Sequence, residues 1–376
     1  MWRSLTAVLS VLMLACTGDG PEDWSGTIDT LPSGTILVSN PEQGRWGSRP
    51  AWQLVQAHMI GTRLDSGPEL FGNISDIDVD AAGRVYVFDR QAQDVRLFDA
   101  DGSYVRTIGG AGQGPGEFSV ANGIAVDPAN RLWVHNQGNL RYSVFDTSGI
   151  LLMEPRRIVG AIRFAEWRSV FTADGDLYEA MGYRSSTGTH FGLARYDAVA
   201  QRLVDTLPIP PFPEGIKLFS GIAILTANGW WQGIKHTYRL SHITFAGDTV
   251  RVIERIREAE PLSRAERDSA EEQERQIKQR VTRGEVDIET HLRPIFEGLV
   301  LDDLDHLWVM LSSQPGDDST GFDIFDQSGR YLGQLTAPHL VDRFVLPIIR
   351  GGRIHYVTKD ELDVPYVVVA DIRGRQ

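Results

Sequence analysis

Two stretches of this chain coincide when one is slid 47 positions onto the other, and that internal copy constrains the fold more than any other feature. Within residues 74–109 and 121–152, Asp80 falls on Asp127, Arg84 on Arg131, and Val85-Tyr86-Val87 on Leu132-Trp133-Val134. Phe98-Asp99 falls on Phe145-Asp146 and Gly102 on Gly149. The segment joining the copies repeats as well: Gly114-Pro115-Gly116-Glu117-Phe118 echoes Gly67-Pro68-Glu69-Leu70-Phe71. A third copy places Asp302, Leu307-Trp308-Val309, Phe325-Asp326 and Gly329 in the same slots. Fainter copies cover 168–207, 221–254 and 346–372.

Each copy has one physical logic. Short runs rich in Val, Ile, Tyr and Trp, bounded by Asp, Gly and Asn, are strands joined by hairpins. In Asp-Ala-Ala-Gly and Asp-Ala-Asp-Gly the carboxylate can bond the backbone, and glycine tolerates positive φ. Four strands in a unit of roughly 40–50 residues make a propeller blade, whose two faces only its neighbours can cover. The chain ends predict the closure. Only three strand-like runs follow Leu340, while Leu54–Gly61 matches a fourth-strand position ahead of the first full blade. Five whole blades and one composite blade give an all-β, six-bladed β-propeller over 31–376, built from four-stranded antiparallel blades. One segment breaks the pattern. Residues 262–283 are helix-forming throughout, with a capping box at Ser263 and Glu266 and a suitable stop at Gly284, so a helical insertion is expected between the fourth and fifth blades. It reads as a solvated excursion or as an arm over one face.

The G-I-A-V-D run at 123–127, the G-Q-G-P-G-E-F connector at 112–118 and the V-R-L-F-D run at 95–99 resemble the NHL repeat. With the SNPEQGRW stretch at 39–46 and the N-terminal segment, the layout is similar to bacterial six-bladed propeller lipoproteins of that kind. The resemblance implies a fold, not a single function, since such families include binders of proteins, RNA and small molecules and a few enzymes.

Met1-Trp2-Arg3 followed by the apolar run Leu5–Leu14 reads as an export signal over 1–15, too short to span a bilayer. Met13-Leu14-Ala15-Cys16 resembles the bacterial lipobox, and Cys16 is the only cysteine in the chain, so it is the expected lipidation point. Residues 16–30 are expected to be a flexible tether. Localisation would then be the cell envelope, with lipid as the sole membrane attachment of a monomeric protein. The formal net charge of −13, with basic residues scattered, argues against nucleic acid as a partner.

Chemistry is sparsely signalled. GGAGQGPGEF lacks the Gly-Lys-Ser/Thr ending of a phosphate loop. The nine histidines show no metal-ligand spacing, so neither a metal nor a cofactor is expected. Asp76 and Asp78 leave a calcium reading open, although with Asp80 they spread along about 13 Å of strand. Aligning the innermost strands places polar residues where the central channel should open. Asp76, Asn122, Arg168, Glu297 and Arg343 are the candidate ligand-binding residues, and no catalytic residue is assigned. A binding scaffold recognising a protein or small ligand is the expected function. A hydrolase or lyase at the channel mouth, as in gluconolactonase-like or strictosidine-synthase-like propellers, is the alternative, with Asp76 and Glu297 as its one acid/base pair.

Overall fold

The computed structural model describes residues 24–63, 66–157, 169–185, 188–197, 202–208, 221–280 and 289–375. Among them the chain forms a hairpin, β1 (Thr27–Thr30) and β2 (Ile36–Asn40), then β3 (Gln53–Ile60), and then blade after blade. Blade one is β4 (Ile74–Val79), β5 (Val85–Asp89), β6 (Asp94–Phe98) and β7 (Tyr104–Ile108). Blade two is β8 (Ile124–Val126), β9 (Leu132–Asn136), β10 (Arg141–Phe145) and β11 (Leu151–Met153). Blade three is β12 (Ser169–Phe171), β13 (Asp176–Ser185), β14 (Gly188–Asp197) and β15 (Arg202–Pro208). Blade four is β16 (Gly221–Thr226), β17 (Gly229–Ile234), β18 (Thr237–Thr244) and β19 (Thr249–Arg255). After helix α1 (Arg264–Arg280), blade five is β20 (Phe296–Leu301), β21 (Leu307–Leu311), β22 (Thr320–Phe325) and β23 (Tyr331–Ala337). Blade six is β24 (Ile348–Arg350), β25 (Arg353–Lys359) and β26 (Pro365–Arg373), with β3 as its outermost strand.

The closure expected from the chain ends is therefore present. β3 pairs antiparallel with β26 from Gln53↔Arg373 to Ile60↔Val367, so the sixth blade has four strands, one of them from the start of the chain. A further use of the N-terminal segment has no counterpart in the repeat. β2 adds in parallel to the outer edge of β19, and β1 continues that sheet, giving blade four six strands. The last residues of the stretch read as a tether, Thr27–Thr30, thus belong to a sheet edge. Between β2 and β3 the chain follows blade five, where the amides of Arg45 and Trp46 donate to the carbonyls of Tyr331 and Leu332 at 3.1 and 2.8 Å. The fastening is specific. Buried Asn40 donates through Nδ2 to the carbonyls of Gly329 and Glu254 at 3.0 and 3.3 Å, and its Oδ1 accepts the amide of Tyr331 at 2.6 Å. The SNPEQGRW stretch is this fastening.

The recurring aspartate is the turn residue its recurrence implies, and it also seats an aromatic. Asp127 Oδ1 accepts the amides of Ala129 and Arg131 at 2.9 and 2.8 Å, while Oδ2 accepts Arg131 Nε at 2.6 Å and Trp133 Nε1 at 3.0 Å. Asp80 repeats this with Ala82, Arg84 and the Tyr86 hydroxyl, and Asp302 with Leu304, His306 and Trp308 Nε1. Tyr86, Trp133 and Trp308 are fully buried between blades, where a polar N–H or O–H needs a partner. One carboxylate thus shapes the turn and satisfies the aromatic that fills the seam.

The helix occupies the expected insertion. Its capping box is formed, with Ser263 Oγ accepting the amide of Glu266 at 3.3 Å and Glu266 Oε2 accepting that of Ser263 at 2.9 Å. Arg293 grips Glu266 through Nη2 at 2.9 and 2.8 Å, tying the helix start to the chain entering blade five. Those bonds hold the Glu266 carboxyl down at about 2.

Replacing Asp127 by Ala strands the Trp133 N–H and two turn amides, and it should destabilise the protein by about 2–4 kcal/mol in urea unfolding. A loss below about 0.5 kcal/mol would contradict the role given to this carboxylate.

Candidate functional site

The innermost strand of every blade runs the same way along the axis. The start of that strand, the turn between the second and third strands, and the end of the outermost strand therefore share one face, here called the upper face. The six inner strands surround a cavity of about 620 Å³. Its upper end is lined by Ser75, Asp76, Asn122 and Phe344. Its middle is mostly aliphatic, with Ile77, Ile124, Val170, Ile224, Leu299 and Leu346 beside Ser169. Its lower end is polar again, with Thr226, Asn228, Asp302, Asp305 and Arg350.

Asp76 and Asp78 are built into the wall. Asp76 Oδ2 accepts the amide of Ile124 at 2.8 Å, and Asp78 Oδ2 accepts that of Val126 at 2.6 Å. Their other oxygens accept the amides of Ile77 and Val79 at 3.0 and 2.7 Å. Adjacent inner strands diverge too far for a continuous backbone ladder, and these two carboxylates bridge β4 to β8 instead. Removal from water raises the pKa of Asp78, against the pull of the Val126 amide and the Arg350 charge. Among the described residues, no group of three His, Cys, Asp or Glu side chains is placed to hold a metal ion.

Asn122 is positioned from behind. His135 Nδ1 hydrogen-bonds the side-chain amide of Asn122. His135 is buried, and burial, helped by the Arg157 charge, keeps its pKa well below the usual imidazole range. The imidazole is thus a neutral strut at ordinary pH. The segment leading to Asn122 is fixed from blade one as well: Gln93 Oε1 accepts the amide of Ala121 at 2.8 Å. Val120 is held at φ 49°, a conformation β-branched residues seldom adopt.

The five residues singled out in the sequence do not all meet. Asp76 and Asn122 line the channel mouth. Glu297 and Arg343 line a separate recess on the upper face. The ladder of β20 shifts register between Phe296 and Gly298, and Lys235 of blade four holds Glu297 Oε2 at 2.7 Å, which takes that carboxylate away from Asp76. Arg343 precedes β24 by several residues, because blade six begins its inner strand at Ile348, and Phe344 and Leu346 face the axis there. Arg168 and Cys16 lie outside the described residues. The alignment did not single out the aliphatic waist, Ser169 or Arg350. Arg350 closes the lower end of the cavity and donates to the carbonyl of Val79. Starting the last inner strand at Leu346-Pro347-Ile348 would have found it, since the run ends on that arginine.

A family model described as "6-bladed beta-propeller" matches residues 67–148, which are blade one, its connector and most of blade two. Mouse NHL repeat-containing protein 3 is 30% identical over 144 residues, 33% of this chain and 41% of its own length. The human protein of the same name is 28% identical over 172 residues, 40% of this chain and 46% of its own length. The chain thus spans less than half the length of the curated relatives it matches. A solved structure from Bacteroides fragilis superposes with a TM-score of 0.54 at 12% identity, covering 90% of this chain and 100% of that one. One from Bacteroides vulgatus gives 0.51 at 10% identity, covering 86% and 98%. The class is a six-bladed β-propeller with NHL-like repeats.

His135 and His355 are buried bases with depressed pKa values, that of His355 pushed down to about 4 by burial. The unfolded chain takes up these protons near pH 6.5 and the folded one only much lower. Their contribution is therefore fully present above about pH 6.5 and is lost as pH falls toward 4, at about 1.4 kcal/mol per pH unit for each group. Urea unfolding between pH 7 and 4.5 should give a shallower slope for His355→Gln than for the parent by about that amount. Parallel lines would contradict the assignment.

Proposed function

We propose that this protein is a non-catalytic binding protein that holds a small ligand in its axial channel. The observation that carries this reading is the cavity of about 620 Å³, within the range of small-molecule sites and lined by residues from all six blades. An aliphatic waist between two polar ends suits a ligand with an apolar body and polar termini. The wall is preformed: Asp76 and Asp78 are engaged by backbone amides, and Asn122 is braced by His135, so little order remains to be imposed on binding. The same engagement argues for binding over turnover, because carboxylates committed to main-chain N–H groups are poorly disposed to move protons. The separation of Glu297 from the channel lining removes the partner an Asp76-based acid/base pair would need.

In this reading the propeller is exported and held at the envelope by lipid on Cys16, with the signal-like run 1–15 removed. Radiolabelled palmitate should enter the chain in a bacterial host and be lost in Cys16→Ser; equal labelling of both would refute the anchor.

The channel is tested by plugging it. Ser169→Trp places an indole at the waist of the channel without altering the turn carboxylates. In a thermal-shift screen of small amphiphiles at 100 times Kd, a ligand should stabilise the parent by about 2.7 kcal/mol and the plugged variant by far less. Equal stabilisation of both would remove the channel as the site. Hydrolysis of an ester or lactone panel by the parent, lost on plugging, would make the channel catalytic and overturn the binding reading.

A further inference from the structure

The second recess on the upper face measures about 220 Å³ and lies where blade five meets the loop to blade six. Glu297, Ser312, Ser313, Thr320 and Arg343 line it over apolar Met310 and Leu311. Its charges are unequally matched. Lys235 Nζ lies 2.7 Å from Glu297 Oε2, whereas Arg343 Nη1 lies 3.9 Å from Oε1. The carboxylate is neutralised by the lysine, and the arginine charge is in surplus. The Arg343 side chain is 61% exposed, and its guanidinium rests 5.0 Å from the centroid of the Phe344 ring, which orients the fork without using its donors.

A hydroxyl donor faces the same space. Thr320 is buried, and its Oγ1 already accepts the amide of Val341 at 2.9 Å, so its own proton is available to give. Ser313 Oγ stands 3.4 Å away, at the limit of a hydrogen bond, and can donate or accept.

We propose that this recess binds a small α-hydroxy monocarboxylate, with the carboxylate on the Arg343 fork and the hydroxyl on Thr320 and Ser313. A guanidinium presents paired parallel donors that match a planar carboxylate. One surplus cation beside a carboxylate suits a single negative charge and disfavours a dianion. The recess of about 220 Å³ suits a ligand of a few carbons. The site is separate from the channel and does not depend on the channel's ligand.

Isothermal titration of the full chain with lactate and glycerate, against uncharged lactamide and inorganic phosphate, tests the assignment. Both acids should bind and lactamide should not. Arg343→Gln should weaken acid binding about tenfold or more, the scale of a lost charged hydrogen bond. Glu297→Gln removes a repelling charge and should tighten binding several-fold, whereas Lys235→Gln unmasks that charge and should weaken it. Ser169→Trp should leave acid binding unchanged, which distinguishes this site from the channel. Lactamide binding as well as lactate, phosphate binding alone, an unaffected Arg343→Gln, or opposite signs for the Glu297 and Lys235 variants would each overturn the proposal.

Discussion

The ring exists because a strand from the start of the chain completes its last blade. A propeller of five whole blades and a three-stranded remainder would leave the outer edge of β26 with unpaired N–H and C=O groups and leave one blade incomplete. β3 removes that edge, and its register with β26 brings residues more than 300 positions apart in sequence into one ladder. The same segment is fastened over two blades before it arrives: β2 lies on β19 of blade four, Asn40 joins blades four and five, and the stretch around Arg45 and Trp46 follows β23. The N-terminal part therefore belts three successive blades.

Carboxylates perform most of the local work within the ring. In three blades an aspartate shapes the turn below the inner strand and accepts the polar hydrogen of the aromatic that fills the seam. Between blades one and two, Asp76 and Asp78 replace a ladder that diverging strands cannot form. Between blades four and five, buried Asp323 takes the hydroxyls of Tyr238 and Tyr331 at 2.8 and 2.9 Å and a guanidinium nitrogen of Arg255 at 2.5 Å. An acidic composition is thus partly structural. The net charge of −13 overstates the negative charge free to meet a ligand.

The sequence made blades one, two and five readable because each keeps the aspartate turn and the buried aromatic at fixed spacing. Blade three hid its copy by changing the residue while keeping the physics: Thr172 stands in the aspartate slot, and its hydroxyl accepts the amide of Asp176 at 3.2 Å. Blade six has no such slot, since Gly351-Gly352 turn the chain directly from β24 into β25, both at positive φ. That is why Arg343 was aligned ahead of the true inner strand. The parallel docking of β2 was illegible for another reason: its partner lies more than 200 residues away, and β1 beside it is exposed and carries no core pattern. Asp76 and Asn122 were legible because backbone periodicity fixes where an inner strand begins. Glu297 strayed because a local register shift and a lysine from the neighbouring blade decide where a long side chain goes.

Hydrogen–deuterium exchange on the intact chain measures the closure directly. If β3 is an integral strand of blade six, the hydrogen-bonded amides of 53–60 and of 365–373 exchange together and as slowly as those of β5 and β21. Amides of 53–60 exchanging within seconds while those of β5 and β21 stay protected would show that the ring is not closed by its N-terminal strand.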